Sequence, residues 1–199
     1  MLSQFTGKDE DATLKSLANF PKDVYPVGRL DKDSEGLIIL TNDKKLNNHL
    51  LNPKFKHKRT YWVQVENVPT IADLKILEAG VEIAVEGKKY TTLPSKATII
   101  NPNVSERNPP IRIRKSIPTA WIELTLIEGK NRQVRKMTAA IGFPTLRLIR
   151  VGIEDLSFQD INETVIELEQ KSLYNLLKID YEPEAVANNF RRRAFNRNK

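Results

Sequence analysis

The sequence predicts an α+β fold in which flanking helices cover a mixed, largely antiparallel sheet. Predicted strands and helices follow one another without the regular strand-helix-strand alternation that defines a doubly wound parallel sheet. Residues 121–126, WIELTL, alternate apolar and polar side chains, which is typical of a strand with one buried face. The 199 residues fit one domain, or one domain built from two subdomains, which we place at residues 1–181.

The first half of the chain is predicted to contain short elements bounded by caps and prolines. Pro21 ends a first helix, and Asn42 and Pro53 bound a second helix as its N-cap and its stop. Thr70 and Asp73 have the spacing of a capping box at the start of a third helix. We predict helices at 13–20, 43–51 and 70–79, and strands at 23–27, 37–40 and 61–66.

The second half is predicted to be richer in strands and to contain one long loop. Residues 101–118 bear several prolines and form this loop. A turn at Gly129 precedes a helix that Asn131 caps and Gly142 ends. The tail at 182–199 is basic, has little to bury and is predicted to be disordered. Further strands are predicted at 81–85, 96–100, 121–126, 146–153 and 164–168, with a last helix at 172–177.

Composition favours a polyanionic partner and excludes several classes of site. Lys and Arg number 32 against 25 Asp and Glu, and a net charge of +7 attracts polyanions without specifying which; nucleic acid and a basic but merely solvated surface both stay open on this ground. The absence of cysteine excludes disulfides, thiolate metal sites and a cysteine nucleophile. The two histidines, His49 and His57, lack the spacing of a zinc hydrolase, so we expect no metal. No stretch approaches the roughly 18 apolar residues of a membrane span, which predicts a cytoplasmic protein.

The stretch VGRLDKDSEGLIILTND places Asp31, Asp33 and Glu35 beside Arg29, just before an apolar run. The letters imitate an EF-hand calcium loop, but position twelve is Asn42 instead of Glu, and strands flank the loop where helices are required. A glycosidase-like carboxylate pair stays open, because Asp31 and Asp33 would lie about 7 Å apart on one face of an extended segment. A second interpretation also stays open, in which one carboxylate is catalytic and its acidic neighbours are turn residues.

The segment EGKNRQVRKMTAAIGFP predicts a helix with one cationic face. At about 100° per residue, Arg132, Arg135 and Lys136 share one side of this helix, and its apolar residues share the other. The preceding turn adds a further cation at the helix N-terminus, where phosphate groups bind readily. Arg147 and Arg150 on the following strand extend the positive charge. We therefore expect this region to bind phosphate.

Three ordered motifs together resemble a known enzyme family. GRLDKDSEGLIILTND, RTYWVQVE and EGKNRQVRKMTAAIGFPTLRLIRVGI are similar, over residues 24–155, to the pseudouridine synthases of the small-subunit and large-subunit ribosomal RNA type. RNPPIRIRKSIPTAWIELTLIEGKNRQVRKM most resembles the E-type members, which modify large-subunit rRNA. The resemblance implies the pseudouridine synthase catalytic fold with a central RNA-binding cleft. It also implies isomerisation of a uridine in large-subunit rRNA without a cofactor.

The resemblance also implies roles for individual residues. Asp31 would be the catalytic carboxylate, Tyr61 would pack on the target base and Arg135 would pair with the catalytic carboxylate. Arg29 would help to displace the target uridine from its stack. The family usually has lysine two positions before the tyrosine, where this chain has Arg59. We expect further RNA contacts from cations of the long loop and of the basic helix, namely Arg112, Arg114, Lys115, Lys130, Arg132 and Lys136.

The chain departs from the family in two places. Many relatives carry an N-terminal S4 RNA-binding domain, for which this chain has no room. E-type relatives begin with an apolar strand and a Lys-Pro dipeptide ahead of the part equivalent to residues 1–5. We therefore expect that strand to be missing, which would leave a sheet edge or groove unfilled.

The partner expected from the sequence is large-subunit rRNA, bound by a monomer that needs no metal, cofactor or membrane. The main alternative is a non-catalytic rRNA-binding or ribosome-associated module with the same fold. A glycosidase acting on free nucleosides is weaker, because a small substrate has no use for the basic loop at 107–115.

Overall fold

The structure, a computed structural model, describes residues 1–112, 114, 116–161 and 163–181. Lys115 and the predicted basic tail at 182–199 lie outside the described residues. Within the described ranges, the search for a helix long and apolar enough to cross a membrane finds none.

Short strands dominate the described part of the chain. The strands are β1 (Tyr25–Pro26), β2 (Glu35–Gly36), β3 (Leu40–Thr41), β4 (Arg59–Glu66), β5 (Glu82–Val85), β6 (Lys88–Thr91), β7 (Lys96–Ile100), β8 (Thr119–Leu126), β9 (Thr145–Ile153) and β10 (Leu156–Ser157). The helices are α1 (Lys44–Leu51), α2 (Ile71–Ala79), α3 (Gln133–Ala140) and α4 (Gln170–Leu176), with 3-10 turns at Leu14–Ser16, Pro53–Phe55 and Phe158–Asp160.

The central sheet has six strands in the order β10-β9-β4-β8-β7, and β2 is added along β9. Strand β4 runs antiparallel to both of its neighbours, β8 and β9. Strands β7 and β10 also pair antiparallel, whereas β2 pairs in parallel with β9. The sheet is therefore mixed and largely antiparallel, and the predicted α+β class is confirmed.

One face of this sheet forms the main core. The alternation of β4 and β8 turns Val63, Val65, Ile122 and Leu124 towards α2 and α3, and all four side chains are buried. Each fully buried aliphatic side chain of this kind stabilises the fold by about 1.5–3 kcal/mol. A second cluster packs α1 and α4 around the end of β9, together with the segment that carries β1 to β3.

Helix α2 follows its sequence signals closely. The Thr70 hydroxyl accepts a hydrogen bond from the Asp73 N–H, and the Asp73 carboxylate accepts one from the Thr70 N–H at 2.8 Å. Gly80 ends the helix with φ of 98°, and a side chain there would overlap the carbonyl oxygen of Thr92. Both the predicted capping box and the predicted end of the helix at residue 79 are confirmed.

The predicted N-caps of two other helices are each wrong by one residue. Helix α1 is capped by Asp43, whose Oδ1 accepts from the Leu46 N–H at 3.0 Å. The side-chain amide of Asn42, the predicted cap, donates to Asp23 instead. Helix α3 is preceded by Arg132, which has φ of 52°, and not by Asn131 as predicted. The reason in α3 is that the next residue, Gln133, accepts from the Lys130 N–H and so closes the turn itself.

The predicted helix at 13–20 is also wrong, because this segment pairs with the N-terminus. The Leu2 N–H donates to the Ala12 carbonyl at 2.8 Å, and the Leu14 N–H donates to the Gln4 carbonyl at 3.1 Å. These contacts hold the segment extended up to Leu14. What is left of the helix is the 3-10 turn Leu14–Ser16.

The apolar run predicted as one strand at 37–40 is divided between two sheets. Its first part follows β2 along β9, where the Leu37 N–H donates to the Arg150 carbonyl at 2.9 Å. Its end turns away, and β3 pairs with β1. The predicted strand at 164–168 does not form, because β2 and β10 already occupy the outer edge of β9. The sequence patterns also missed the short strands β6 and β10.

Candidate active site

The acidic stretch pairs directly with strand β9 of the central sheet. Glu35 and Gly36 of β2 pair with Ile149 and Arg150 of β9. Gly36 has φ of 102°, and a Cβ at this position would overlap the backbone of Arg150. Only glycine permits so close an approach of the two backbones. The loop that carries Asp31 is therefore fixed to β9 immediately after its last acidic residue.

Asp31 lies at the edge of a cleft of about 530 Å³, and its side chain is 28% exposed. The Nη1 atom of Arg132 lies 3.7 Å from Asp31 Oδ2. The neighbouring residue, Leu30, is held by the N-terminal segment: Ser3 Oγ accepts from the Leu30 N–H and donates to the Leu30 carbonyl, both at 2.9 Å. Asp31 thus follows a fixed backbone position while its carboxylate stays accessible.

Asp33 is contacted by two arginines of the segment that begins α3. Its two carboxylate oxygens accept from Arg132 Nη1 and Nη2, both at 3.0 Å. The hydrogen bond from Arg132 holds the pKa of Asp33 below its usual value, and the nearby Arg135 acts in the same direction. The same bond raises the pKa of Arg132. Asp33 therefore anchors the start of α3 to the loop.

In this structure Arg135 contacts Asp33, and its pairing with the catalytic carboxylate, which the resemblance implied, stays a prediction. Its Nη2 donates to the backbone carbonyl of Asp33 at 2.8 Å and lies 3.4 Å from that residue's carboxylate. The side chain is 11% exposed, and burial lowers the pKa of Arg135. Among the described residues, its Nε is the one buried side-chain nitrogen or oxygen without a hydrogen-bond partner. The arginine that approaches Asp31 is Arg132.

Glu35 is held by two arginines from distant parts of the chain. Arg147 donates to both of its oxygens, from Nε at 3.0 Å and from Nη2 at 2.8 Å, and Arg107 Nε lies 3.1 Å away. Arg147 also donates to the carbonyl of Ser105 at 2.7 Å. These contacts link the acidic loop, strand β9 and the long loop at 101–118.

Neither Arg147 nor Arg150 is available to extend a phosphate-binding face, so that prediction is wrong. Arg147 is 9% exposed and Arg150 is 5% exposed. Arg150 donates from Nε and Nη2 to the carbonyl of Leu37, at 2.8 and 2.6 Å. Burial lowers the pKa of the Arg150 guanidinium. Arg150 therefore holds the backbone of the acidic stretch, and Arg147 holds the side chain of Glu35.

The cleft brings together several residues that the sequence singled out. Tyr61 lies in β4, paired with Leu124 on one side and Arg150 on the other. Arg59, two residues earlier, donates to the Leu50 carbonyl at 2.7 Å and to the His57 carbonyl at 3.3 Å. The volume of the cleft lies within the range of about 300–1,000 Å³ that is usual for ligand sites. The predicted site residues that line it are Arg29, Asp31, Arg59, Tyr61, Lys130 and Arg132.

Three other predicted RNA-binding residues do not line this cleft. Arg112 is exposed in the long loop, and Arg114 lies 3.6 Å from the carboxylate of Glu66. Lys136 is half-buried on α3. The structure thus separates the cations at the cleft from a second group that lies outside it.

Glu128 is a functional candidate that the sequence patterns did not reveal. It is buried, and it accepts hydrogen bonds from the Tyr90 hydroxyl, from the Leu93 N–H at 2.8 Å and from Gln133 Nε2 at 2.7 Å. The bond to Glu128 raises the pKa of Tyr90 to about 12. Glu128 therefore fixes the turn that presents Arg132. In the sequence, Glu128 is marked only by the glycine that follows it. Two of its partners, Tyr90 and Leu93, belong to a distant part of the chain.

Comparison with known proteins identifies the family to which a chain with this fold and cleft belongs. The sequence model of the family described as RNA pseudouridylate synthase matches residues 1–140. A crystal structure of a pseudouridylate synthase superimposes with a TM-score of 0.65 at 26% sequence identity, covering 84% of this chain and 66% of that one. The chain therefore belongs to the RNA pseudouridylate synthase family, and the predicted resemblance is confirmed.

Several close relatives carry a more specific name. Ribosomal large subunit pseudouridine synthase E of Vibrio parahaemolyticus is 52% identical over 161 residues, which are 80% of this chain and 66% of that protein. The protein of the same name from Xanthomonas axonopodis pv. citri is 46% identical, over 78% of this chain and 81% of its own length. Ribosomal large subunit pseudouridine synthase B of Bacillus subtilis is 39% identical, over 66% of this chain and 48% of its length.

Proposed function

We propose that the protein isomerises one uridine of large-subunit ribosomal RNA to pseudouridine, with Asp31 as the reacting carboxylate. The observation that carries this assignment is the position of Asp31 and Tyr61, which line the same cleft in a chain of this family. The names of the most similar relatives support the substrate class. We propose that the protein acts on the RNA as a monomer. As an rRNA-modifying protein it would act in the cytoplasm.

The reaction keeps all atoms of the nucleotide and needs no oxidant or reductant. The N1–C1′ bond breaks, the uracil turns, and a C5–C1′ bond forms while the C5 proton is lost and N1 gains one. The Asp31 carboxylate can open the sequence either by attacking C1′ or by removing the C2′ proton. Both routes require the carboxylate form. Arg132, 3.7 Å away, supplies a neighbouring positive charge and restricts the direction in which the carboxylate points.

The target uridine must leave its base stack to reach Asp31. Unstacking costs a few kcal/mol, and stacking of the base on an aromatic ring such as Tyr61 returns about 1–3 kcal/mol. Arg29 is exposed at the cleft and is placed to occupy the space that the base leaves. Lys130 and Arg132 lie on the turn before α3, where they can bind phosphates of the same strand.

The test compares Asp31→Asn with the matched variant Asp33→Asn. Each protein is incubated with unmodified large-subunit rRNA, and pseudouridine is mapped by carbodiimide modification and primer extension. We expect the wild type to produce a new stop, Asp31→Asn to lower the rate by at least about 10²–10⁴-fold while it still binds RNA, and Asp33→Asn to retain product.

Two outcomes would contradict this assignment in different ways. If Asp31→Asn still made pseudouridine at the wild-type rate, Asp31 would not be the reacting group. If the wild type bound rRNA in a salt-sensitive way but left it unchanged, the protein would be the non-catalytic binding module instead.

A further inference from the structure

Most of the arginines around the acidic loop are already engaged with acids of the protein. Arg132 and Arg135 contact Asp33, and Arg107 and Arg147 contact Glu35. A guanidinium that is held by a carboxylate attracts a phosphate less strongly than a free one. Beyond Arg29 and Lys130, which already line the cleft, further cations that could attract RNA must be sought on another side of it.

The part of the chain that contains α1, the following turn and most of β4 is basic and contains no acidic residues that could pair with its cations. From residue 44 to residue 65 the sequence contains six lysines and arginines and neither Asp nor Glu. We use the name basic turn for residues 52–59, NPKFKHKR. Its three lysines, Lys54, Lys56 and Lys58, are exposed. Within the described part of the chain none of the three forms an ion pair, and Lys54 Nζ lies 4.6 Å from the centre of the Phe55 ring.

The backbone of the basic turn is ordered by its own side chains. Asn52 Oδ1 accepts from the Lys54 N–H at 3.1 Å, and the Lys56 N–H donates to the Pro53 carbonyl at 3.2 Å. The Phe55 ring stacks on His49 of α1, with ring centres 3.6 Å apart. The lysines are consequently displayed from a fixed backbone, which lowers the entropy that binding would cost.

A chain of hydrogen bonds ties the end of the basic turn to the sheet. His49 Nδ1 lies 2.7 Å from His57 Nε2, and His57 Nδ1 lies 3.2 Å from Glu154 Oε1. The same glutamate oxygen accepts from the Lys58 N–H at 2.7 Å. The turn is thus anchored at both ends, and only its lysine side chains remain mobile in solvent.

The basic turn is also part of the rim of the cleft. Pro53 and Arg59, near its two ends, line the cleft that Asp31 and Tyr61 line, as do Leu50 and Leu51 at the end of α1, and the three lysines lie between them in sequence just outside this lining. An RNA strand that delivers a uridine to Asp31 must leave the cleft along one of its rims. The rim formed by the basic turn offers three lysines whose ammonium groups form no ion pair among the described residues, since the nearby Glu154 is bound by the His57 ring and by the Lys58 backbone.

We propose that Lys54, Lys56 and Lys58 bind phosphates of the RNA strand that adjoins the target uridine. This inference rests on the proposed function, since it assumes that RNA enters this cleft. The partner follows from the chemistry of the surface: three exposed ammonium groups on an ordered turn at the rim of a polar cleft suit a polyphosphate backbone. The contacts position the strand and carry no base specificity.

The experiment compares two triple variants that make the same change in net charge. The first is Lys54→Gln, Lys56→Gln and Lys58→Gln. The control is Lys75→Gln, Lys88→Gln and Lys171→Gln, at exposed lysines of α2, β6 and α4 that do not line the cleft. Both variants lower the net charge from +7 to +4. A third variant with arginine at 54, 56 and 58 keeps the charge of the basic turn.

Binding of unmodified large-subunit rRNA is measured over a series of salt concentrations. For the first variant we expect Kd to rise about tenfold or more. We also expect the slope of log K against log salt to become shallower by about two to three, because each phosphate contact contributes about 0.7–0.9 to the magnitude of this slope. The control should change the slope by less than one. The arginine variant should bind like the wild type. In the pseudouridine assay the loss should appear as a higher KM for RNA.

Equal losses in the first variant and the control would overturn the proposal, since they would show a general effect of net charge. So would a first variant that binds like the wild type. Failure of the proposed function gives a different result: the wild type would make no pseudouridine, whatever the two triple variants do to RNA binding.

Discussion

The acidic loop and the basic turn border the same cleft but use charge in opposite ways. In the acidic loop, Asp33 and Glu35 are each held by two arginines from other elements. In the basic turn, the lysines have no acidic neighbour in sequence and are ordered by stacking and backbone hydrogen bonds. The difference teaches that the arginine–carboxylate pairs stabilise the structure of the site. The lysines that we propose to bind RNA form no such pairs.

The largest expected effect on stability comes from breaking a paired charge. Arg147→Met leaves the Ser105 carbonyl without its guanidinium donor and leaves Glu35 with Arg107 alone. We expect the free energy of unfolding to fall by about 2–3 kcal/mol, because a part-buried charged group loses its partner. Urea unfolding measures this change.

The matched variant on the other side of the comparison is Lys56→Ala. Its free energy of unfolding should stay within about 0.5 kcal/mol of the wild type, because the side chain is exposed. A loss as large as that of Arg147→Met would show that the basic turn is part of the framework after all.

A smaller effect is expected where the N-terminal segment holds the acidic loop. Ser3→Ala removes the hydroxyl that both donates to and accepts from the backbone of Leu30. We expect a loss of about 1 kcal/mol in stability and a lower kcat with little change in KM for RNA, because Asp31 becomes less well positioned.

Ser16→Ala is the control for this variant. Its hydroxyl also bonds to a backbone carbonyl, that of Thr13 at 2.8 Å, but it does not line the cleft. If both serine variants lowered kcat equally, or if Ser3→Thr failed to restore it, Ser3 would have no positioning role.

The smallest effect is a pH dependence from Asp33. Its pKa is lower in the folded protein than the usual value of 3.8, so it stabilises the fold above that value, and this contribution disappears as the pH falls through the folded pKa. Because the carboxylate is 43% exposed, we expect less than about 1 kcal/mol. The difference in unfolding free energy between wild type and Asp33→Asn should be constant above about pH 5 and shrink below about pH 4. A difference that grew in acid would contradict the assigned pairing.

Local signals in the sequence predicted part of this molecule well. The capping box of α2 and the alternation of β4 and β8 depend on residues within one turn or one strand, so they could be read without the fold. The motifs also predicted that Asp31 and Tyr61 would share a site, and both line one cleft. Their catalytic roles remain predictions that the variants above test.

Long-range pairing explains what the sequence could not predict. Arg132 meets Asp33 across 99 residues, Arg147 meets Glu35 across 112, and Arg150 meets Leu37 across 113. The sequences of α3 and β9 show that cations are present. They do not show that groups from residues 33–37 will bind these cations. The same pairing divided the predicted strand at 37–40.

The backbone contact between Gly36 and Arg150 has a consequence for the time at which the site can form. The carboxylate of Asp31 belongs to the first part of the chain to be synthesised, but the strand that fixes its loop, Thr145–Ile153, emerges more than a hundred residues later. Contacts between residues this far apart in sequence form slowly, because the entropy of closing a long loop is lost before the contacts contribute any favourable free energy. A nascent chain ending at residue 144 would already contain Asp31, Tyr61 and Arg135 and would hold no assembled cleft. On the proposed function, activity would therefore begin only after strand β9 has left the ribosome.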